Sequence, residues 1–233
     1  MTQEVRPYDV LVMGGSGFLG QKLVQQLAQK ERRVLVSTRK AGALKPAFAA
    51  LNDVHVHQIR EYDTSTLDTL LSQADAVINL VSIHQEVRRS RIDLPPARRG
   101  DFEEVHIEIP RRMIHSAVKI GGCRIVHVSC YGASPLSSDA RLRSKGLGEI
   151  IVREASEDSA AQGHFTYLNG PKFGWGSRLA STVLRLPKLR SADLDHWARI
   201  IIETLDDPES IGKIQEAWTD KARVTIYPGK IYA

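Results

Sequence analysis

From residue 10 onward, short and nearly unbroken apolar runs alternate with apolar stripes at helical spacing. Val10-Leu-Val-Met13 is the first run, and it leads into a stripe of Leu19, Leu23, Val24, Leu27 and Ala28. Runs of this length bounded by turn residues read as buried strands, and stripes at the 3.6-residue period read as helices. Arg33–Thr38 and Val54–Ile59 predict the second and third strands, with His55 and His57 on one side of the latter. Asp63-Thr-Ser-Thr then opens a helix bearing Leu67, Leu70 and Leu71. Ala76–Val81 predicts a fourth strand, apolar enough to be covered on both faces. Phe102, Val105, Ile109, Met113, Ile114 and Ala117 mark the next helix, in which Pro110 predicts a kink or a broken start. Arg124–Ser129 predicts strand five, Leu147, Ile150 and Ile151 the following helix, and His164–Leu168 strand six. The pattern loosens over residues 172–190. It returns as a helix over Ala192–Leu205, stopped by Asp206-Asp-Pro208. Strands alternating with helices predict a parallel α/β sheet.

Composition narrows the picture less than pattern does. The 233 residues are 42% hydrophobic and 25% charged, ordinary values for a globular chain large enough to bury a core. No apolar stretch approaches the eighteen or so residues of a membrane helix, so no transmembrane segment is expected. The amino terminus reads neither as a signal peptide nor as an Arg-rich presequence. Cys123 and Cys130 lack CxxC or zinc-ribbon spacing and are expected to be reduced structural thiols. His55 and His57 share a strand face without a third ligand at usable spacing, so no metal site is expected. A net charge of +5 is partly concentrated in Arg88, Arg89, Arg91, Arg98 and Arg99. That segment reads as a solvated loop or as a docking surface for an acidic partner or anionic lipid head groups. No aromatic residues interleave with its arginines, so nucleic acid is not expected to bind there.

The candidate chemistry lies at the first strand–helix junction. Gly14-Gly-Ser-Gly17-Phe-Leu-Gly20 follows a strand and opens a helix, the context a dinucleotide fingerprint requires. Gly14 serves the tight turn, Gly17 the close approach of backbone to a pyrophosphate, and Gly20 the packing of helix on strand. The phosphates would rest on the free N–H groups at the helix start. About twenty residues on, a NAD-selective site carries an acid for the ribose hydroxyls. Here the second strand ends in Arg39-Lys40 with no acid, which favours the 2′-phosphate of NADP(H).

Further strings follow in a fixed order. They are Asp75-Ala-Val-Ile-Asn-Leu-Val81, Phe102-Glu-Glu-Val-His-Ile-Glu-Ile-Pro110, Ile125-Val-His-Val-Ser129 and Arg143-Ser-Lys-Gly-Leu-Gly-Glu149. With the glycine motif and Arg39, the chain resembles the atypical short-chain dehydrogenases. Within them it is most similar to the NAD(P)H-binding accessory subunits of mitochondrial respiratory complex I. The resemblance covers roughly residues 8–176 and continues more weakly to the Ala192–Asp207 helix. It implies a doubly wound parallel sheet of the Rossmann, short-chain dehydrogenase type over 1–176, with an abbreviated C-terminal lobe over 177–233 packed on it. It also implies NADP(H) held by the backbone from Gly14 through Ser16, Gly17 and Phe18 to Leu19, with Arg39 on the 2′-phosphate. Asp63 would border the adenine, and Leu80 and Val81 would underlie the nicotinamide-side ribose. Ser129, Lys145 and Pro171 would complete the nicotinamide half, Lys145 by bonding ribose hydroxyls. The implied partners are other subunits of complex I. The implied location is the matrix side of the mitochondrial inner membrane, with a bacterial cytoplasmic relative as the alternative.

One departure bears on mechanism. Enzymes of this superfamily use Tyr-x-x-x-Lys, in which the tyrosine moves the proton. Four residues before Lys145 stands Arg141, which stays protonated at neutral pH and cannot shuttle a proton. The expectation is therefore a non-catalytic, structural NADP(H)-binding subunit. The alternative is a soluble NADPH-dependent reductase or sugar-nucleotide epimerase in which Tyr131 or another group replaces the missing tyrosine.

Overall fold

Val10 and Val12 leave the first strand on one face and Leu11 and Met13 on the other, and all four are fully buried. A strand buried on both faces belongs inside a sheet with helices on each side. The computed structural model describes residues 6–39, 41–42, 48–86, 101–161, 180–187 and 193–217. Its strands are β1 (Tyr8–Met13), β2 (Val34–Thr38), β3 (Val54–Gln58), β4 (Ala74–Asn79), β5 (Arg124–Cys130), β6 (Ala180–Leu186) and β7 (Ile214–Glu216). They lie in the order β3-β2-β1-β4-β5-β6-β7, and every neighbouring pair is parallel. The chain steps outward from β1 to β3, then returns to place β4 on the other side of β1. Winding therefore reverses between β1 and β4, and ligands of such sheets bind above that point, at the carboxyl ends of the strands.

Helices α1 (Phe18–Gln29) and α5 (Leu194–Asp206) cover one face. Leu19, Leu23, Val24 and Leu27 of α1 join Trp197, Ala198, Ile201 and Leu205 of α5 over Val10, Val12, Val36, Ile78 and Val126. Helices α2 (Thr64–Leu71), α3 (Ile109–Lys119) and α4 (Ala140–Ala161) cover the other. There Leu67, Leu70, Met113, Ala117 and Val152 pack on Leu11, Met13, Val77 and Ile125. Each layer buries its apolar stripe, and this burial is the main favourable term holding the sheet together.

Arg124, at the start of β5, is 1% exposed and ties the α5 layer to the sheet. It donates to the carbonyls of Thr204 (2.8 Å) and Leu205 (3.4 Å) in the last turn of α5, to Thr182 Oγ1 (2.7 Å) and to Ser210 Oγ (2.6 Å). A cation here satisfies carbonyls that the helix end leaves free and complements its dipole.

Pro110 falls in the first turn of α3, where a missing N–H costs nothing. A π turn over Glu104–Glu108 precedes it, so the break expected from the proline is present as a change of helix type. The expected third strand ends one residue early, at Gln58, and the fourth spans Ala74–Asn79 rather than Ala76–Val81. Leu80 and Val81 therefore lie just past the strand end, where Val81 N–H donates to Asn79 Oδ1 at 3.0 Å instead of to the ladder. The expected strand at His164–Leu168 lies outside the described residues. Among the described residues the strand after β5 is Ala180–Leu186, where the sequence pattern loosens: Arg185 interrupts its apolar run of Val183, Leu184 and Leu186. The described part of the segment read as a C-terminal lobe thus extends the same sheet as β6 and β7.

Candidate functional site

The glycine turn sits at the carboxyl end of β1, and its geometry assigns each glycine a task. Gly14 has φ +79°, a conformation that side chains with a Cβ rarely adopt. A Cβ there would also lie 3.1 Å from the Leu80 carbonyl carbon and the Val81 nitrogen, so this turn and the end of β4 touch. A Cβ on Gly20 would lie 2.7–2.9 Å from Gly14 and Gly15 backbone atoms, which fixes how closely α1 sits on the turn. Gly17 is exposed and is the N-cap of α1, without a side-chain hydrogen bond and without an acid in the first turn. Ser16 and Phe18 are also exposed, Phe18 at 84%, and Leu19 is buried behind them. The first N–H groups of a helix need partners from outside it. This uncapped start at the switch point has the donor set of a phosphate site.

Arg39 follows β2 directly and is exposed; Lys40 lies outside the described residues. Asp63 is the N-cap of α2 and accepts from Thr66 N–H at 2.7 Å, which holds its carboxyl below the usual carboxylate range. Its capping role was legible in the sequence. Between these residues and the glycine turn lies Tyr62, which sequence reasoning missed. Its buried hydroxyl is 3.1 Å from Ser37 Oγ and faces the Gly14 backbone. Burial pushes the phenol up, so it stays neutral beneath the turn.

On the other side of the switch point, hydrogen bonds fix the segment after β4. Asn79 Nδ2 donates to His127 Nδ1 on β5 at 3.1 Å, an orientation set by Oδ1 accepting from Val81 N–H. Ile83 N–H donates to His106 Nε2 at 3.2 Å, so Nδ1 carries the ring proton, 2.9 Å from Ser144 Oγ on α4. His106 therefore ties the β4 exit, the π turn and α4 together. Burial, then the neighbouring Lys145, the His127 ring and Arg141, push its pKa down to about 3. His127 is likewise pushed down to about 3 by burial and Lys145. Both imidazoles are neutral at physiological pH.

α4 approaches so closely that a Cβ on Gly146 would overlap the Ser134–Pro135 backbone, and one on Gly148 would overlap the His106 carbonyl oxygen. Those two glycines seat α4 on the 134–135 turn and on the π turn, and Lys145 beside them is 7% exposed. Burial lowers the Lys145 pKa, partly offset by Cys130 and Glu149. The Ser129 hydroxyl is buried and faces the Glu149 carboxyl, outside good hydrogen-bond geometry. Glu149 is held by Arg185 of β6 through a fork, with Nη2 at 2.7 Å from Oε2 and Nε at 3.1 Å from Oε1. Arg185 also reaches Glu216 of β7 at 3.1 Å. Burial opposes both charges, but with two carboxylates around it Arg185 is held above its ordinary range and the pair stays ionised.

Arg141 lies one turn before Lys145 and sets a guanidinium nitrogen 3.8 Å from Cys130 Sγ, at the end of β5. Tyr131 donates its hydroxyl to the Ala217 carbonyl, and burial and Glu216 raise its pKa. The site thus joins Gly14–Leu19, Leu80, Val81, Ser129 and Lys145 along the carboxyl ends of β1, β4 and β5. Arg39 and Asp63 stand at the β2 and β3 side. Pro171 lies outside the described residues, as do Arg88–Arg99. His55 packs edge to face on Tyr8, with ring centroids 5.4 Å apart. An exposed helix start, glycine backbone free of side chains and a buried lysine beyond it fit a dinucleotide laid across the switch point.

Residues 10–146 match the NAD dependent epimerase/dehydratase family. The mitochondrial NADH dehydrogenase (ubiquinone) 1 alpha subcomplex subunit 9 of Rattus norvegicus is 30% identical over 151 residues, 64% of this chain and 37% of that protein. Its counterpart from Arabidopsis thaliana is 26% identical over 221 residues, 88% of this chain and 52% of that protein. The chain therefore spans about a third to a half of the length of these relatives. An oxidoreductase of the short-chain dehydrogenase/reductase family from Burkholderia thailandensis shares the fold, with a TM-score of 0.67, 13% identity and 91% of both chains covered.

Proposed function

We infer the function of this chain from the premise that it belongs to the NAD dependent epimerase/dehydratase family. It is a non-catalytic NADP(H)-binding accessory subunit of mitochondrial respiratory complex I, on the matrix side of the inner membrane. The observation that carries this reading is an intact nucleotide cradle beside an altered proton-transfer position. The glycine turn keeps its left-handed φ, close packing and uncapped helix start, whereas Arg141 occupies the place of the superfamily tyrosine. When bound, the nucleotide would offer hydride chemistry. The chain's own residues grip it but provide no group at Arg141 to deliver the accompanying proton. Tyr131 is a poor substitute, because its hydroxyl is engaged by Ala217 and burial strengthens its hold on its proton. The assembly role is supported by relatives whose names place them in the mitochondrial NADH dehydrogenase. A held nucleotide stabilises the fold that binds it, which suits a structural role.

Within this reading Lys40 joins Arg39 on the 2′-phosphate, Pro171 borders the nicotinamide, and Arg88–Arg99 dock on neighbouring subunits or anionic lipid. Native gel migration from the source organism tests assembly. The expected result is migration with a very large membrane complex containing NADH dehydrogenase activity. Migration only as a small soluble species would overturn it.

A further inference from the structure

At the carboxyl end of β5, two cations make no direct ion pair with a described residue; Glu149 acts on Lys145 only through its field. Lys145 is 7% exposed, and its ammonium makes no hydrogen bond or ion pair with a described residue. Arg141, half-buried one turn earlier, contacts only the Cys130 sulfur, at 3.8 Å, through its side chain. Glu149, one turn beyond Lys145, is committed to Arg185, which also holds Glu216. The group therefore sets three cations, Arg141, Lys145 and Arg185, against two carboxylates. The neighbouring His106 and His127 add no charge at neutral pH. Among the described residues, the nicotinamide half of the proposed site carries a net positive field.

The two redox forms of the nucleotide share phosphates and riboses and differ in the ring, which is cationic when oxidised and neutral when reduced. A fixed cation beside the ring penalises only the oxidised form. The superfamily tyrosine is neutral at this position when protonated, whereas an arginine is always charged. We propose that Arg141 makes this site selective for the reduced nucleotide, so that the position used elsewhere for proton transfer serves here to exclude NADP⁺. This inference rests on the NADP(H) reading of the site. Unit charges several ångströms apart in a partly screened pocket give a difference on the order of tenfold in affinity.

The test titrates nucleotide-free protein with NADPH, followed by nicotinamide fluorescence, and with NADP⁺, followed by calorimetry. Wild type, Arg141→Gln and Arg141→Lys are compared. The expected wild-type preference for NADPH is about tenfold. Arg141→Gln should lose most of it by binding NADP⁺ more tightly rather than NADPH more weakly, and Arg141→Lys should keep it. A wild-type ratio near one overturns the inference. So does a Gln variant that keeps the full preference or weakens both forms equally. Failure of wild type to bind either nucleotide would instead overturn the reading of the site.

Discussion

Replacing Gly14 by alanine places one methyl group where the structure has least room for it, and two costs follow. The residue sits at φ +79°, and holding a side-chain-bearing residue there costs about 1–2 kcal/mol. The new Cβ would also stand 3.1 Å from backbone atoms of Leu80 and Val81. These are not flexible side-chain ends, so β1 and β4 must separate by a few tenths of an ångström, which adds about 1 kcal/mol of overpacking. A total of about 2–3 kcal/mol corresponds to a fall in melting temperature of roughly 5–10 °C for a chain of this size. The same displacement moves the segment proposed to lie under the nicotinamide-side ribose, so NADPH affinity should fall by about tenfold or more, on the order of 1.4 kcal/mol. Gly42→Ala is the control, since a Cβ there meets nothing within 4 Å. The assay is thermal unfolding with and without NADPH. An alanine at 14 that leaves melting temperature and nucleotide affinity at wild-type values would refute the reasoning.

Arg39, exposed at the end of β2, should set nucleotide choice. Wild type should bind NADPH at least about tenfold tighter than NADH, and Arg39→Ala should remove most of that gap; equal wild-type affinities by calorimetry would exclude this role. The buried histidines predict acid lability. Each has a folded pKa of about 3 against about 6.5 when unfolded, so between those values the unfolded chain binds more protons. Stability should be fully present above pH 6.5 and fall as pH drops toward 3, by up to about 1.4 kcal/mol per pH unit for each histidine. Urea midpoints from pH 7.5 to 5 check this, with His127→Asn flattening the slope; a midpoint that rises on acidification contradicts it.

The first half of the sheet was legible because β1, β2 and β4 are apolar runs and β3 alternates Val with His, each bounded by turn residues. β6 was not, because it opens on Ala, Ser and Thr and Arg185 interrupts the short apolar run that follows. That arginine is tolerable only because Glu149 and Glu216, distant in sequence, neutralise it. β7 is too short for any period to show. At the site, the glycine tasks and the Asp63 cap followed from local rules of turn and helix start. Tyr62, Asn79, His106 and the Arg185 network did not, since each works through partners on other elements. His106 lay inside a motif read for order alone. The signal that could have found it is Gly148, whose missing side chain makes room for the His106 carbonyl.

The central claim is that the chain holds NADP(H) without turning it over, and following nicotinamide absorbance of purified protein across a panel of carbonyl and sugar-nucleotide substrates tests it most directly. The account predicts bound NADPH that persists through purification and is not oxidised by any member of the panel. It also predicts that Arg141→Tyr alone restores no activity. Turnover of about 1 s⁻¹ or faster that disappears in Lys145→Ala or Tyr131→Phe would contradict the account and make the chain a reductase.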